Sequence, residues 1–263
     1  MSDTPRHAWV REPAVTLPEA CELTHLAREP IDYADLLVEH QAYRRALTQL
    51  GLQVVVLPAL PQFPDSVFVE DAALLLPELT VLTRPGVASR QAEPVHLQAA
   101  LAARGLPLHS LQAPATLDGG DVLRIGKRLL VGLSTRSNAA AVEQLRSLLQ
   151  PLGYQVDAVP LGPSLHLKTA CTALDDETLL INPAWVDAAA LPAFRFLQVD
   201  AAEPFAANVL RLPQAWLANA AYPRTLERLG PEAERRGISL HAVAIPAFGR
   251  AEAGLTCLSL IEP

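Results

Sequence analysis

The feature that most constrains the fold is a repeat of about fifty residues, in which a helix-like stretch runs directly into a strand-like stretch. Four copies carry a glycine where a helix usually ends, and these are Gly51, Gly105, Gly153 and Gly237. A weaker copy, WVDAAALPA followed by FRFLQVD, lacks the glycine. The residues after each helix are rich in Val, Ile, Leu and Tyr, which favours strands.

Further short strands follow in each copy and are predicted to form β-hairpins. Their turns are expected at Pro77 and Glu78, Gly126 and Lys127, Asp175 and Asp176, and Pro213 and Gln214. A strand–hairpin–helix unit of this size cannot bury its own apolar face and must close against its neighbours. We therefore predict an α/β fold, a five-bladed α/β propeller forming one catalytic domain over residues 1–263. The alternative, a doubly wound sheet, would show single parallel strands between helices.

Composition disfavours several classes of partner and compartment. The net charge is -7 and Lys and Arg do not cluster, which argues against nucleic acid. The longest apolar runs are far too short for a membrane span, and residues 1–13 lack the apolar core of a secretory signal. Cys21, Cys171 and Cys257 show no CxxC spacing, which fits a reducing, cytoplasmic compartment. No GxGxxG after a strand, Walker sequence or HExxH is present, so we expect neither cofactor nor metal.

Five polar residues share one phase of the repeat. They are Asp71, Asp118, His166, Asn208 and Cys257, at intervals of 47, 48, 42 and 49 residues. Each has an ordinary structural explanation when taken alone: Cys257, for example, lies in an apolar segment predicted to be the last strand, where cysteine is usually packing. Asp121, in the same DGGD segment, is interpreted as a turn residue. Because equivalent positions of a closed ring point to one place, the shared phase favours a functional site on the central axis.

The residue types at this phase predict chemistry on a cationic carbon. A cysteine beside a histidine is a nucleophile with an acid/base partner. Two carboxylates would repel a thiolate unless the substrate is a cation, and a planar guanidinium matches two carboxylates in bidentate geometry. The cation would also favour the thiolate by opposite charge. We therefore predict that Cys257 attacks a guanidinium carbon.

Several segments, in order along nearly the whole chain, carry a family resemblance. They include PDSVFVED, LDGGDVL, VGLSTRSN, LHLKTACTAL and LTCLSL, of which the first two together are specific. The chain resembles the guanidino-group-modifying superfamily and, within it, the dimethylarginine dimethylaminohydrolase family. The resemblance implies a five-bladed propeller of the pentein type. It also implies hydrolysis of Nω-methylated L-arginine to L-citrulline and dimethylamine or methylamine, through a covalent S-alkylthiouronium on cysteine, without cofactor or metal.

The resemblance also implies a role for each site residue. The catalytic residues are Cys257, the nucleophile; His166, which protonates the departing amine and then activates water; and Asp118. Among the substrate contacts, Asp71 holds the guanidino nitrogens together with Asp118, and Glu70 lies beside them. Asp65 is a further polar contact, and Arg90 and Arg136 clamp the α-carboxylate. Leu26 is a lid residue, and Ala251 contacts the substrate through its backbone.

Three other functions are weighed against this one. Arginine deiminases share the carboxylates, histidine and cysteine, but are usually longer and carry a helical insertion that is not visible here. An agmatine deiminase has no use for the clamp of Arg90 and Arg136, because its substrate lacks a carboxylate. A ribosomal-subunit anti-association factor has the same propeller without catalysis, and needs no cysteine or histidine at the shared phase. The sequence predicts a small-molecule partner, is compatible with a homodimer, and leaves open the choice among dimethylated, monomethylated and unmethylated arginine.

Overall fold

The computed structural model describes residues 6–263 and contains five three-stranded sheets. Residues 1–5, part of the segment predicted to lack a secretory signal, lie outside the described residues. The strands are β1 (His7–Arg11), β2 (Gln53–Leu57), β3 (Ala73–Leu75), β4 (Thr80–Leu82), β5 (Leu108–Ser110), β6 (Val122–Ile125), β7 (Arg128–Leu133), β8 (Gln155–Pro160), β9 (Cys171–Ala173), β10 (Thr178–Ile181), β11 (Arg195–Gln198), β12 (Leu210–Arg211), β13 (Ala215–Asn219), β14 (Ser239–Val243) and β15 (Leu260–Ile261).

Every sheet has the same mixed topology. In the second sheet, β4 pairs antiparallel with β3 across the hairpin and parallel with β5 beyond the helix. Strands β6–β8, β9–β11 and β12–β14 repeat this arrangement, which confirms the four predicted hairpins. In the remaining sheet, β1 pairs parallel with β2 and antiparallel with β15. The two ends of the described chain therefore share one sheet and close the ring, which confirms the predicted fold class.

The helices begin and end where local side chains and glycines require. They are α1 (Leu17–Ala20), α2 (Tyr33–Gln49), α3 (Val95–Ala102), α4 (Ala139–Leu149), α5 (Leu167–Ala170), α6 (Pro223–Arg235) and α7 (Pro246–Arg250). Asp32 caps α2 and Asn138 caps α4, each accepting a backbone N–H of the first turn. The predicted terminating glycines all adopt left-handed backbone, with φ of 85° at Gly51, 67° at Gly105, 81° at Gly153 and 65° at Gly237.

The weaker repeat forms a shorter element. The stretch without a terminating glycine folds only into the single 3₁₀ turn Ala188–Ala190 before β11. Elsewhere the helices bury an apolar face against the sheets; α4, for example, buries Val142, Leu145 and Leu149. Each such side chain contributes about 1.5–3 kcal/mol by leaving water.

A short turn at one phase of the repeat positions the functional residues. Helical turns precede the first hairpin strand at Val69–Ala72, Gly119–Asp121 and α5, and a fourth, Thr256–Leu258, precedes β15. The prediction that Cys257 lies in the last strand is therefore wrong, because it belongs to this last turn. Asp71 and Cys257 lie within their turns, and Asp118 and His166 come directly before theirs.

Candidate active site

His166 lies between two carboxylates at the N-terminus of α5. Its Nε2 donates to Asp118 Oδ2 at 3.1 Å, and its Nδ1 lies 4.0 Å from Asp71 Oδ1. Burial by itself lowers the pKa of the imidazole, but the charge of Asp71 and the hydrogen bond to Asp118 outweigh it and raise the pKa to about 9. The ring is therefore an imidazolium at neutral pH.

Asp71 is held ionised by its neighbours. Its Oδ2 accepts from Arg90 Nη1 at 2.7 Å and its Oδ1 accepts from the Gly120 backbone N–H at 2.9 Å. Burial opposes the charge, but His166 and Arg90 lower the pKa of Asp71 to about 2. A permanent negative charge therefore faces the imidazolium.

Gly120 is required by the close approach of these two side chains. A Cβ at this position would lie 2.6 Å from His166 Nδ1 and 2.9 Å from Asp71 Oδ1. Both distances are shorter than real Cβ contacts. The second glycine of LDGGDVL therefore leaves the space in which the side chains of His166 and Asp71 approach each other across the backbone.

Asp118 supports the histidine from the other side and is fully buried. Its Oδ1 accepts from the Gly86 backbone N–H at 2.8 Å. Its Oδ2, which binds His166, also lies 3.8 Å from Arg136 Nη1. One oxygen is thus fixed by backbone while the other faces both basic side chains.

Arg90 is engaged almost completely within the protein. Nη1 binds Asp71, while Nε and Nη2 bind the carboxylate of Glu93 at 2.9–3.2 Å. Nη2 also donates to the backbone oxygens of Asp65 and Phe68. Burial raises the pKa of Glu93 to about 7 even beside this guanidinium. Arg90 therefore orders Asp71, and retains few free N–H groups for a ligand.

Cys257 is surrounded by groups that disfavour its thiolate. It is 9% exposed, and burial together with the charges of Glu70 and Asp71 raises the pKa of the thiol well above its usual value. Lys168 offsets this only in part. The thiol is consequently protonated until another positive charge arrives.

A hydrogen-bond network supports the turn that carries the cysteine. Thr256 Oγ1 donates to Glu70 Oε2 at 2.7 Å, and Lys168 Nζ donates to Glu70 Oε1 at 2.5 Å. Asn208 accepts from the Thr256 backbone N–H at 3.0 Å and donates to the Lys168 backbone oxygen at 2.9 Å. Glu70 and Asn208 thus fix the base of the turn that carries Cys257.

Asp121 does more than its interpretation as a turn residue implied. It is fully buried and accepts from Ser134 Oγ and Ser137 Oγ at 2.6 Å. It also accepts from the Leu167 backbone N–H at 2.9 Å. Because Leu167 follows His166, Asp121 fixes the histidine through the first turn of α5.

The predicted site residues divide into those that share one cavity and those around it. Seven line one cavity of about 20 Å³: Asp65, Asp71, Arg90, Arg136, His166, Ala251 and Cys257. Asp118 lies behind His166. Glu70 also faces a cavity of about 480 Å³ beside Lys168 and Thr256, and Leu26 lines a neighbouring cavity of about 300 Å³.

The segment between α1 and α2 covers this cavity and is tied to it by polar contacts. Asp65, whose pKa is raised by burial, accepts from the Glu22 backbone N–H at 3.1 Å. Arg136 Nη2 donates to Thr24 Oγ1 at 2.8 Å, and Glu252 accepts from the Thr24 backbone N–H at 2.9 Å. Two predicted substrate contacts are thus occupied by the covering segment.

Sequence reasoning missed Lys168, Thr256, Glu93 and Glu252. Lys168 and Thr256 are adjacent in sequence to the shared phase, so a search of neighbouring positions could find them. Glu93 and Glu252 lie outside that phase. Glu93 binds Arg90 in its own turn of the chain, whereas Glu252 binds Thr24, which is far away in the sequence.

Asp71, Asp118 and His166 are the group that could hold a metal ion among residues 6–263. One donor atom from each lies within 4.8 Å of the others. Because the imidazole already donates to Asp118, an ion would have to displace the proton on Nε2 of His166.

None of the helices in the described part of the chain has the length and apolar character to cross a membrane.

The fold, together with the cluster of cysteine, histidine and carboxylates, defines a class of propellers that act on guanidino groups. Comparison with known proteins identifies the family within this class. A model of the arginine deiminase family matches residues 60–215. The N(G),N(G)-dimethylarginine dimethylaminohydrolase of Streptomyces coelicolor is 40% identical over 97% of this chain and 96% of its own.

Two solved structures match over at least 97% of both chains. A cysteine-to-serine mutant of the Pseudomonas aeruginosa dimethylarginine dimethylaminohydrolase, complexed with citrulline, has a TM-score of 0.88 and 30% identity, covering 97% of this chain and 98% of that one. A histidine-to-glycine dimethylarginine dimethylaminohydrolase, as an adduct with S-methyl-L-thiocitrulline, has a TM-score of 0.89 and 31% identity, covering 98% and 100%. This chain belongs to the dimethylarginine dimethylaminohydrolase family, which confirms the resemblance.

Proposed function

We propose that this chain is a hydrolase of guanidino C–N bonds that converts Nω-methylated L-arginine to L-citrulline and dimethylamine or methylamine. The observation that carries the proposal is that Cys257, an imidazolium at His166 and an ionised Asp71 line one small cavity. The names of the relatives and the citrulline and thiocitrulline in two matching structures support it.

The charge of the substrate activates the nucleophile. Asp71, which lines the cavity, binds the guanidinium nitrogens, whereas Asp118, which lies behind His166, holds the imidazole in place. Burial and the charges of Glu70 and Asp71 disfavour the thiolate in the free protein, so the incoming positive charge is what lowers the cost of losing the proton to solvent. Cys257 is then a thiolate only when the guanidinium of the substrate is bound beside it.

The first half of the reaction forms a covalent intermediate. The sulfur of Cys257 bonds to the guanidinium carbon, and His166 transfers its proton to the methylated nitrogen. The bond between carbon and that nitrogen breaks, and dimethylamine or methylamine leaves. The products of this half are an S-alkylthiouronium and a neutral imidazole.

The second half consumes one water. Neutral His166 takes a proton from water, whose oxygen bonds to the same carbon. The carbon–sulfur bond then breaks, the second proton of that water passes to the departing sulfur, and L-citrulline is released, which restores the resting thiol of Cys257 and the imidazolium of His166. The net change is one water added and one amine removed, so no oxidant, cofactor or metal enters the balance.

The remaining predicted contacts orient the amino-acid end of the substrate. We propose that Arg136 binds the α-carboxylate together with Arg90, and that Arg136 is the stronger member because Arg90 is already engaged by Asp71 and Glu93. Asp65 supplies a further polar contact. Backbone groups of Leu26 and Ala251 complete the enclosure.

We also propose one catalytic domain over residues 1–263, acting in the cytoplasm without a nucleic-acid partner. Seven of the proposed site residues line one cavity of this chain, and the proposed chemistry is compatible with a homodimer.

A citrulline assay with dimethylarginine, monomethylarginine and arginine tests the proposal. We expect citrulline from the methylated substrates, and iodoacetamide labelling of Cys257 that substrate prevents. Citrulline from arginine alone would make the chain an arginine deiminase. No citrulline from any of the three, with Cys257 no more reactive than Cys21, would leave a propeller that binds without catalysis.

A further inference from the structure

The segment that covers the cavity, residues 21–32 between α1 and α2, is packed into the apolar core only near its ends, by Cys21, Leu23 and Ile31. Between them, Thr24 and His25 are exposed, and so is the stretch from Ala27 to Pro30. The position of this middle part depends on polar contacts with the rest of the protein. A segment held in this way opens at low free-energy cost, and a single anchoring group can decide how often it does.

Glu252 is the main anchor. Its carboxylate accepts three consecutive backbone N–H groups, from Thr24 at 2.9 Å and from His25 and Leu26 at 2.5 Å. These residues lie more than 220 positions away in the sequence. A charged acceptor makes each bond stronger than a neutral one, so the three bonds together fix the backbone of the segment.

The backbone of Glu252 is in an unfavourable conformation. Its φ of 60° makes it the only non-glycine residue in the left-handed region among residues 6–263. Such a conformation persists where the surrounding structure holds it and is concentrated at functional sites. Glu252 also lines both the cavity beside Cys257 and its larger neighbour, so it lies at the boundary between the site and the covering segment.

The cavity that Cys257 lines is too small to hold the substrate as it stands. Its volume of about 20 Å³ accommodates about one water molecule, whereas an amino acid with a guanidino side chain requires a site many times larger. The covering segment must therefore move away and return in each catalytic cycle. The bonds to Glu252 then break and re-form, together with those that join Asp65 to Glu22 and Arg136 to Thr24.

We propose that Glu252 is a positioning residue that holds residues 24–26 closed over Cys257 and releases them for substrate entry. The carboxylate touches no reacting atom and acts through the backbone it binds. Its effect on turnover rests on the proposed function, whereas its effect on the segment does not.

Two substitutions test the proposal without unfolding the protein. Glu252→Gln keeps the length of the side chain but removes the charge and one acceptor oxygen. Glu252→Gly removes the carboxylate and at the same time favours the left-handed backbone, so the fold is expected to keep its thermal midpoint. Glu29→Gln is the matched control, since Glu29 lies in the same segment and its carboxylate reaches only the side chain of Arg250, at 3.7 Å.

Amide hydrogen exchange and thiol alkylation measure the release directly. In both Glu252 variants we expect exchange at residues 22–28 to accelerate about tenfold, with no change in the sheets, and alkylation of Cys257 by iodoacetamide to accelerate by a similar factor. The Glu29 variant should match the unmodified protein. Unchanged exchange at residues 22–28 in both Glu252 variants would overturn the proposal.

Kinetics add a second readout. The variants should raise KM for dimethylarginine about tenfold, because part of the binding energy must now order the segment, while kcat changes less than about threefold. A fall in kcat with KM unchanged would overturn the positioning role. If no variant and no unmodified protein produces citrulline, the proposed function fails, and the exchange result still decides the role of Glu252.

Discussion

The floor of the site and its cover are built in opposite ways. The floor consists of turns at equivalent positions of the ring, where Asp71, Asp118 and His166 are buried and bound to fixed partners. The cover, residues 21–32, belongs to no repeat, is mostly exposed and is fastened by a few side chains. The difference separates two tasks: the floor keeps charges in place during the reaction, and the cover controls access to them.

Replacing the nucleophile should have the largest effect on turnover and should not change the position of the cover. We expect Cys257→Ser to abolish citrulline formation, a loss of at least about 10⁴-fold, because a serine hydroxyl has no comparable nucleophilicity beside an imidazolium. Thermal unfolding should be nearly unchanged, since the two side chains are similar in size. Measurable turnover in the colorimetric assay would remove Cys257 from the nucleophile's role.

Removing the acid/base group should stop the reaction part-way. We expect His166→Gly to lose about 10²–10⁴-fold in turnover and either to accumulate the covalent adduct or to fail to form it. Intact mass spectrometry after incubation with dimethylarginine distinguishes these. Rapid citrulline release without a persistent adduct would show that another group supplies the protons.

Gly120→Ala tests whether the floor depends on close packing. The added Cβ would meet His166 Nδ1 at 2.6 Å, so we expect about 1–3 kcal/mol of destabilisation and a loss of about 10²-fold in kcat/KM. Gly230→Ala is the control, because Gly230 lies in α6 with nothing within 4 Å of an added Cβ, and it should keep or gain stability. Full activity in the Gly120 variant would mean that the floor yields as easily as the cover.

Arg136→Ala affects the boundary between the two regions. Loss of a charged donor to the α-carboxylate should raise KM for methylarginine about 10–100-fold, and should affect a decarboxylated analogue far less. The same change removes the bond to Thr24, so exchange at residues 22–28 should rise modestly. Equal effects on both substrates would remove the carboxylate-binding role.

The smallest predicted effect is a pH dependence of stability that belongs to the floor. The pKa of His166 is raised from 6.5 when unfolded to about 9 when folded, so its contribution is complete below pH 6.5 and is lost as the pH rises through 9. Between these values, the difference in free energy of unfolding between the unmodified protein and His166→Asn should shrink by on the order of 1–3 kcal/mol. A difference independent of pH in urea titrations would contradict the raised pKa.

The sequence predicted the ring and the phase of its polar turns because both arise from short-range signals repeated along the chain. A glycine after a helix, such as Gly51, and a hairpin turn, such as that at Gly126, are local patterns. The position of Glu252 against residues 24–26 has no local signal, because only the folded ring brings those segments together. Asp121 was underestimated for a related reason: its position in a tight turn was readable, but its bond to Leu167 was not.

The pairing of β15 with β1 also determines when the site can assemble. Cys257 lies three residues before a strand whose hydrogen-bonded neighbour comes from the opposite end of the described chain. Contacts of such long sequence separation are the slowest to form. We therefore expect the other four blades to fold around an incomplete centre, with the reactive sulfur arriving last. During synthesis on the ribosome, a chain whose last strand has not yet paired with β1 contains the predicted carboxylates of the site but does not yet have the nucleophile in place.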